Sequence, residues 1–181
     1  MMDTATKIAA GLEQAFVTHG FAEPNVETLR SAAGVSLRTL YKYTPSRDDM
    51  VLTALEFRHL RYLDRVFGGL PGDERTALGA IIDRIADWMA TEAPHGCLFH
   101  AAVAAAPQDH RLMDLLKRHK SEIAERAARA ARLENKVTDI AFIFEGLTQS
   151  WPLLGPAAAD SACRLAECLQ YHRPEPAEGG S

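Results

Sequence analysis

"AAGVSLRTLYKYTPSRDDM", residues Ala32 to Met50, joins a turn of small residues to a short basic and aromatic segment and then to the start of another helix. Gly34 supplies the positive φ that a tight turn demands, at no steric cost. Ser36 predicts an N-cap for a segment running from Leu37 to Tyr43, which closes before Pro45. Ser46, followed by Arg47, Asp48 and Asp49, caps a further helix with carboxylates in its first turn, where the helix dipole favours them. Two short helices set across a glycine turn are what a helix-turn-helix requires. In that reading Ala33 is a small buried contact, Val35 plugs the crossing and Leu40 anchors the second helix. Leu37, Arg38, Thr39, Lys42 and Tyr43 are left on exposed arcs.

The pattern extends in both directions. Ile8, Leu12, Ala15, Phe16 and His19 recur at helical spacing and stop at Gly20, which predicts a helix over residues 4–19. Asn25 is an N-cap for a short helix that turns Val26, Leu29 and Ala33 inward and ends at Gly34. The helix after Ser46 reaches to about residue 67. Further helical patterns run over residues 74–92, 97–105, 108–133, 136–154 and 160–172. No stretch alternates as a strand does, so the fold class is all-α. The expected division is a three-helix helix-turn-helix domain over residues 1–47 and a second helical domain over 48–172. A disordered polar tail is expected over 173–181.

A chain of 181 residues, 47% hydrophobic and 24% charged, has the apolar material for one sizeable core or two small ones. No segment approaches about 18 consecutive apolar residues, so a membrane partner is not expected and the chain is placed in the cytoplasm. Cys97, Cys163 and Cys168 form no CxxC pair and fit reduced thiols. The formal net charge of −4 is unevenly spread: residues 1–70 carry eight basic and eight acidic side chains, so all the excess acid lies beyond them. Between residues 28 and 47, Arg30, Arg38, Lys42 and Arg47 occur without a carboxylate, a local positive patch that can meet phosphate.

The exposed residues of the second short helix carry chemistry suited to DNA. Arg38 can pair bidentately with a guanine edge, Leu37 and the Thr39 methyl can meet a thymine methyl, and Lys42 can meet phosphate. Asn25 and Arg47, at two helix starts, are placed to clamp the backbone. Gly20-Phe21, Ala33-Gly34-Val35-Ser36, Thr39-Leu40-Tyr41 and Pro45-Ser46 with its following basic residue resemble the N-terminal domain of TetR-family transcriptional regulators over residues 7 to about 57. The resemblance implies DNA contact by Tyr41, Lys42 and Tyr43 and phosphate contact by Arg47. The candidate DNA-binding set is thus Asn25, Ser36, Leu37, Arg38, Thr39, Tyr41, Lys42, Tyr43 and Arg47. Two positions depart from the pattern: Arg30 stands where a small residue is usual, and Thr44 where a phenylalanine is. Arg30 then needs an exit to solvent or phosphate, and Thr44 removes an aromatic from the small core.

The resemblance also implies a C-terminal domain that binds a small effector and pairs with a second copy through its last two helices. Apolar stripes on those helices, Ile140, Ile143, Phe144, Leu147 and Leu154, then Leu165, Cys168 and Leu169, are the expected homodimer interface. Candidate effector-site residues are the aromatic, methionine and interspersed polar side chains Phe57, Trp88, Met89, Phe99, His100, Met113, Phe142, Glu145, Gln149 and Trp151. The implied function is a regulator, a repressor in the leading reading, that binds double-stranded operator DNA under the control of a small-molecule effector. The alternative is a helical ligand-binding or interaction protein that has lost DNA binding.

An enzyme is not expected. Glu56 to His59 and Glu92 to His95 form two Glu-x-x-His units of the kind used in di-iron bundles, but Pro94 breaks the second. His95, Cys97 and His100 lack a fourth metal ligand. Asp83 and Asp87 lie on a polar face. Lysine and arginine between Lys117 and Arg132 are interspersed with Glu122 and Glu125, which favours helix-surface ion pairs. Neither cofactor nor metal is expected.

Overall fold

The computed structural model describes residues 3–70 and 72–171. Among these, all regular structure is helical: α1 (Thr4–His19), α2 (Val26–Ala33), α3 (Leu37–Tyr43), α4 (Arg47–Phe67), α5 (Glu74–Glu92), α6 (Leu98–Ala105), α7 (His110–Ala130), a 3₁₀ turn (Glu134–Lys136), α8 (Val137–Leu154) and α9 (Pro156–Tyr171). The tail expected over residues 173–181 lies outside the described residues.

The chain divides into two compact units, Met1–Arg65 with Cys97–Lys120, and Val66–Gly96 with Ser121–Ser181. The first therefore extends beyond the boundary expected at residue 47. The reason is a shared core: Ile8, Leu12 and Phe16 of α1, Leu29 of α2 and Leu40 of α3 cluster with Met50, Ala54 and Leu55 of α4, Phe99 of α6 and Leu112 and Leu115 of α7. Each such large apolar side chain, taken fully from water, stabilises the fold by roughly 1.5–3 kcal/mol.

Local chemistry sets the ends of the elements in this unit. Asp3, Asn25 and Ser36 cap α1, α2 and α3, each side chain accepting from the backbone N–H three residues on. Ser46 and Asp49 cap α4 reciprocally: the Ser46 N–H donates to Asp49 Oδ2 at 3.1 Å, and the Asp49 N–H to Ser46 Oγ at 3.1 Å. Gly34 ends α2 at φ 61°, ψ 37°, the left-handed conformation the turn into α3 needs. Gly11 lets α1 and α2 approach closely, since a Cβ there would lie 2.4 Å from the Ala32 carbonyl oxygen.

Both departures from the family pattern are accommodated. Thr44 is fully buried, and its hydroxyl donates to the Leu40 carbonyl at 2.9 Å, so a small satisfied side chain stands where an aromatic was expected. Arg30 is half-buried, with Nε donating to Glu27 at 2.9 Å and Nη1 to the Val35 carbonyl at 3.2 Å. One ion pair is deeply buried. Glu13 on α1 is 3% exposed and accepts from Arg58 Nη1 and Arg61 Nη1, each at 2.8 Å, which ties α1 to α4.

In the second unit, Leu78, Ile81, Ile82 and Ile85 of α5 are buried, with Ile140, Phe144 and Leu147 of α8. Ala158, Ala162 and Ala166 form the buried face of α9, small enough to let it lie close to α8 and α5. The helix α9 starts at Pro156 rather than near residue 160, because proline at the first helical position sacrifices no hydrogen bond. The helix α7 stops at Ala130, short of residue 133, and Arg132 turns the chain at φ 49°.

Candidate nucleic-acid interface

The helix α3 is pinned from one side. Leu40 is fully buried, while Leu37, Arg38, Tyr41, Lys42 and Tyr43 are exposed and Thr39 is half-buried. The expected outward arc is therefore in place. At its start, Ser36 Oγ and Thr39 Oγ1 lie 2.8 Å apart while Ser36 also receives the Thr39 N–H, so both hydroxyls are fixed by the cap. Toward its end, Lys42 Nζ sits 5.8 Å from the centre of the Tyr43 ring, a cation resting on an aromatic face.

Two cations brace the turn before α3. Lys7 of α1 donates from Nζ to the Gly34 carbonyl at 2.9 Å, and Arg30 reaches the Val35 carbonyl. The hydrogen bond from Arg30 to Glu27 holds that carboxyl below its usual range. Sequence reasoning missed Lys7, which faces the turn only because α1 and α2 pack together.

Arg47, expected at phosphate, is engaged within the fold. Its Nη1 donates to the Pro24 carbonyl at 2.6 Å and its Nη2 to the Phe21 carbonyl at 2.7 Å, so the guanidinium staples the loop between α1 and α2 to the start of α4. Asn25 is likewise engaged: its Oδ1 accepts from the Thr28 N–H at 2.9 Å and lies 3.1 Å from the Thr28 hydroxyl. By contrast, Arg38 is exposed and has no hydrogen bond or ion pair to the described residues. A guanidinium held out on a rigid helix with its donors unengaged can be offered to a base edge or a phosphate.

The effector-site candidates fall in both units. In the first, Phe99 is buried and stacks on His119, His100 is half-buried, Met113 is on the surface, and Phe57 lines an open groove of about 620 Å³ between α1 and α4. In the second, Trp88 and Met89 are core residues, Glu145 and Trp151 are half-buried, and Gln149 is exposed. Phe142 is 74% exposed, because it lies on the side of α8 opposite the buried Ile140, Phe144 and Leu147.

The expected interface residues divide in the same way. Ile140, Ile143, Phe144 and Leu147 are buried within their own unit, since that side of α8 faces α5 and α9. Leu154, Leu165 and Cys168 are exposed and Leu169 is half-buried. The apolar surface left on this pair of helices includes Phe142, Leu153, Leu154 and Leu165, the last 57% exposed. Phe142, Ile143, Leu165, Cys168 and Leu169 line a groove of about 570 Å³ there, with Lys136 and Asp139.

Among the described residues, no three His, Cys, Asp or Glu side chains gather to hold a metal ion. Nor is any described helix long and apolar enough to cross a membrane. The Glu56 of the first Glu-x-x-His unit pairs with Arg118, and its His59 turns inward to His119.

No protein-family model matches the sequence, and no curated protein matches it. Solved structures do match. A TetR-family transcriptional regulator from Streptomyces coelicolor superposes with a TM-score of 0.78 at 17% identity, over 93% of this chain and 94% of that one. A second TetR-family member from the same species gives 0.70 at 16% identity, over 91% and 98%. A TetR-like transcriptional regulator from Rhodococcus gives 0.62 at 18% identity, over 93% of each chain. With a capped helix-turn-helix followed by an all-helical second part, the chain has the fold of the TetR-family transcriptional regulators.

Proposed function

We propose that this chain is a sequence-specific DNA-binding transcriptional regulator, acting as a homodimeric repressor whose hold on operator DNA is released by a small-molecule effector. The observation that carries the DNA-binding part is α3: its inner side is fixed by Leu40 and Thr44, while Arg38 and Lys42 project outward with Tyr41 and Tyr43. In this reading Leu37 and Thr39 meet thymine methyls, and Ser36 and Asn25 stand at the starts of α3 and α2.

Dimerisation is supported by the exposed apolar side of α8 and α9, since such a patch on a regulator that reads paired half-sites is best covered by a second copy. Two copies would set their α3 helices one DNA turn apart, about 34 Å. An effector then acts by binding more tightly to the dimer geometry that misses this spacing. The rival reading, a ligand-binding protein without DNA affinity, drew on Arg30 and Thr44, and both have their partners within the fold.

The test is selection of bound fragments from a random double-stranded DNA pool, followed by titration of the enriched site at two salt concentrations. A palindromic site whose affinity falls steeply with salt is the expected result. No enrichment by folded, effector-free protein would favour the rival reading.

A further inference from the structure

His59 on α4 and His119 on α7 meet inside the first unit, each 3% exposed, with their Nδ1 atoms 2.9 Å apart. At that distance one ring donates its Nδ1–H and the other accepts with its Nδ1 lone pair, carrying its own hydrogen on Nε2. Phe99 of α6 stacks on His119 with ring centres 3.9 Å apart and planes at 13°, and Tyr62 of α4 meets it edge-on at 5.2 Å. Three helices thus converge on one buried pair that neither DNA contact nor dimerisation uses.

The groups facing it come from each of these helices. Arg58 of α4 is held by Glu13 of α1, His100 of α6 follows Cys97, and Lys120 of α7 adjoins His119 itself. Burial works to raise the Cys97 thiol, but the His100 hydrogen bond and the Lys120 charge bring it to about 7. For His119, burial first, and then Lys120, His59, Arg58 and His100, hold the imidazolium well below the ordinary 6.5. A first added proton places a charge among these cations. A second removes the accepting lone pair and leaves two N–H groups facing one another. Along the same seam Arg111 pairs with Asp49 at 3.1 Å and Arg118 with Glu56, but those side chains are largely solvated and each pair contributes little.

We propose that the His59–His119 pair is an acid-released latch that fastens α4, the helix following α3, to α6 and α7 within the first unit. An opened or unfolded His119 takes up its proton near 6.5, and the latched one only well below. The open form binds more protons across that interval, so closure strengthens as pH rises. The latch is fully present above 6.5 and is lost as pH falls beneath it, by up to about tenfold in the opening equilibrium per pH unit per proton. Only its consequence for DNA affinity rests on the function proposed above.

The experiment compares the full chain with a double variant, His59→Leu with His119→Phe, in unfolding stability from about pH 7.5 to about pH 5.5. A several-fold to tenfold rise in the wild-type opening constant, largely absent in the variant, is expected. Identical pH profiles would overturn the latch. Nitrogen NMR of the wild-type histidine rings decides the matter even when the variant fails to fold. One Nδ1–H ring and one Nε2–H ring are expected, with His119 still neutral at pH 6.5; a His119 ring that titrates as a free imidazole in an unchanged fold would contradict it. DNA binding at matched salt should weaken on acidification in the wild type and persist in the variant. A chain that binds DNA at no pH would refute the function and leave the latch to the first two measurements.

Discussion

Arg38 and Arg47 carry the same guanidinium on neighbouring helices, one exposed and the other hydrogen-bonded within the fold. Arg38→Ala is expected to cost about 1–3 kcal/mol on the enriched DNA site and to relax base preference at one position. Arg47→Ala leaves the Pro24 and Phe21 carbonyls without their donor, so it is expected to lower unfolding stability by about 1–3 kcal/mol in denaturant titration. It should leave the salt slope of DNA binding little changed; a slope that falls by about one contact would return Arg47 to the phosphate backbone. The positive patch was legible in the sequence, since Arg30, Arg38, Lys42 and Arg47 occur without a carboxylate. Which of them are consumed internally was not, because the carbonyls that engage Arg47 come from a loop distant in sequence. The same holds for His59, which read as half of a short metal motif and instead meets a histidine from another helix.

Helix ends were the most legible elements because their causes are local. Asn25, Gly34, Ser36 and Ser46 announce caps and a turn within three or four residues, and the structure places them there. The facing of α8 was not legible. Ile140, Phe142, Ile143, Phe144 and Leu147 surround much of that helix, so periodicity alone does not select the side that meets α5 and α9. Nor did the pattern locate the start of α9, because Pro156 reads equally as a breaker and as a first helical residue. Gly11 gives an element-scale test of opposite sign to propensity. In a free helix Gly→Ala is worth up to about 1 kcal/mol in favour of alanine. Here the new methyl meets the Ala32 backbone at 2.4 Å, so Gly11→Ala is expected to destabilise by about 1–3 kcal/mol. Unchanged or increased stability in thermal or denaturant unfolding would show that α1 and α2 have room to separate.

For the molecule as a whole, the exposed apolar side of α8 and α9 makes assembly the measurable property. Leu165→Glu places a carboxylate on that surface, and in a paired state its desolvation would cost several kcal/mol, on the order of 2–5. Sedimentation should then report a shift from dimer to monomer, with each unit still folded, and loss of affinity for a palindromic site but not for a single half-site. A wild-type chain that sediments as a monomer at all concentrations would remove the dimer reading. The two-unit architecture was legible only in outline: the helix-turn-helix was located, but α6 and the first half of α7 join its unit through contacts that no local pattern records. The buried Glu13 has a consequence for genetics. Its loss removes the buried carboxylate to which Arg58 and Arg61 both donate, a change of about 3–5 kcal/mol. On the function proposed above, a genetic screen for loss of regulation would therefore return substitutions at Glu13 alongside those at Arg38. Only a parallel measure of cellular protein abundance would separate alleles that misread DNA from alleles that never accumulate.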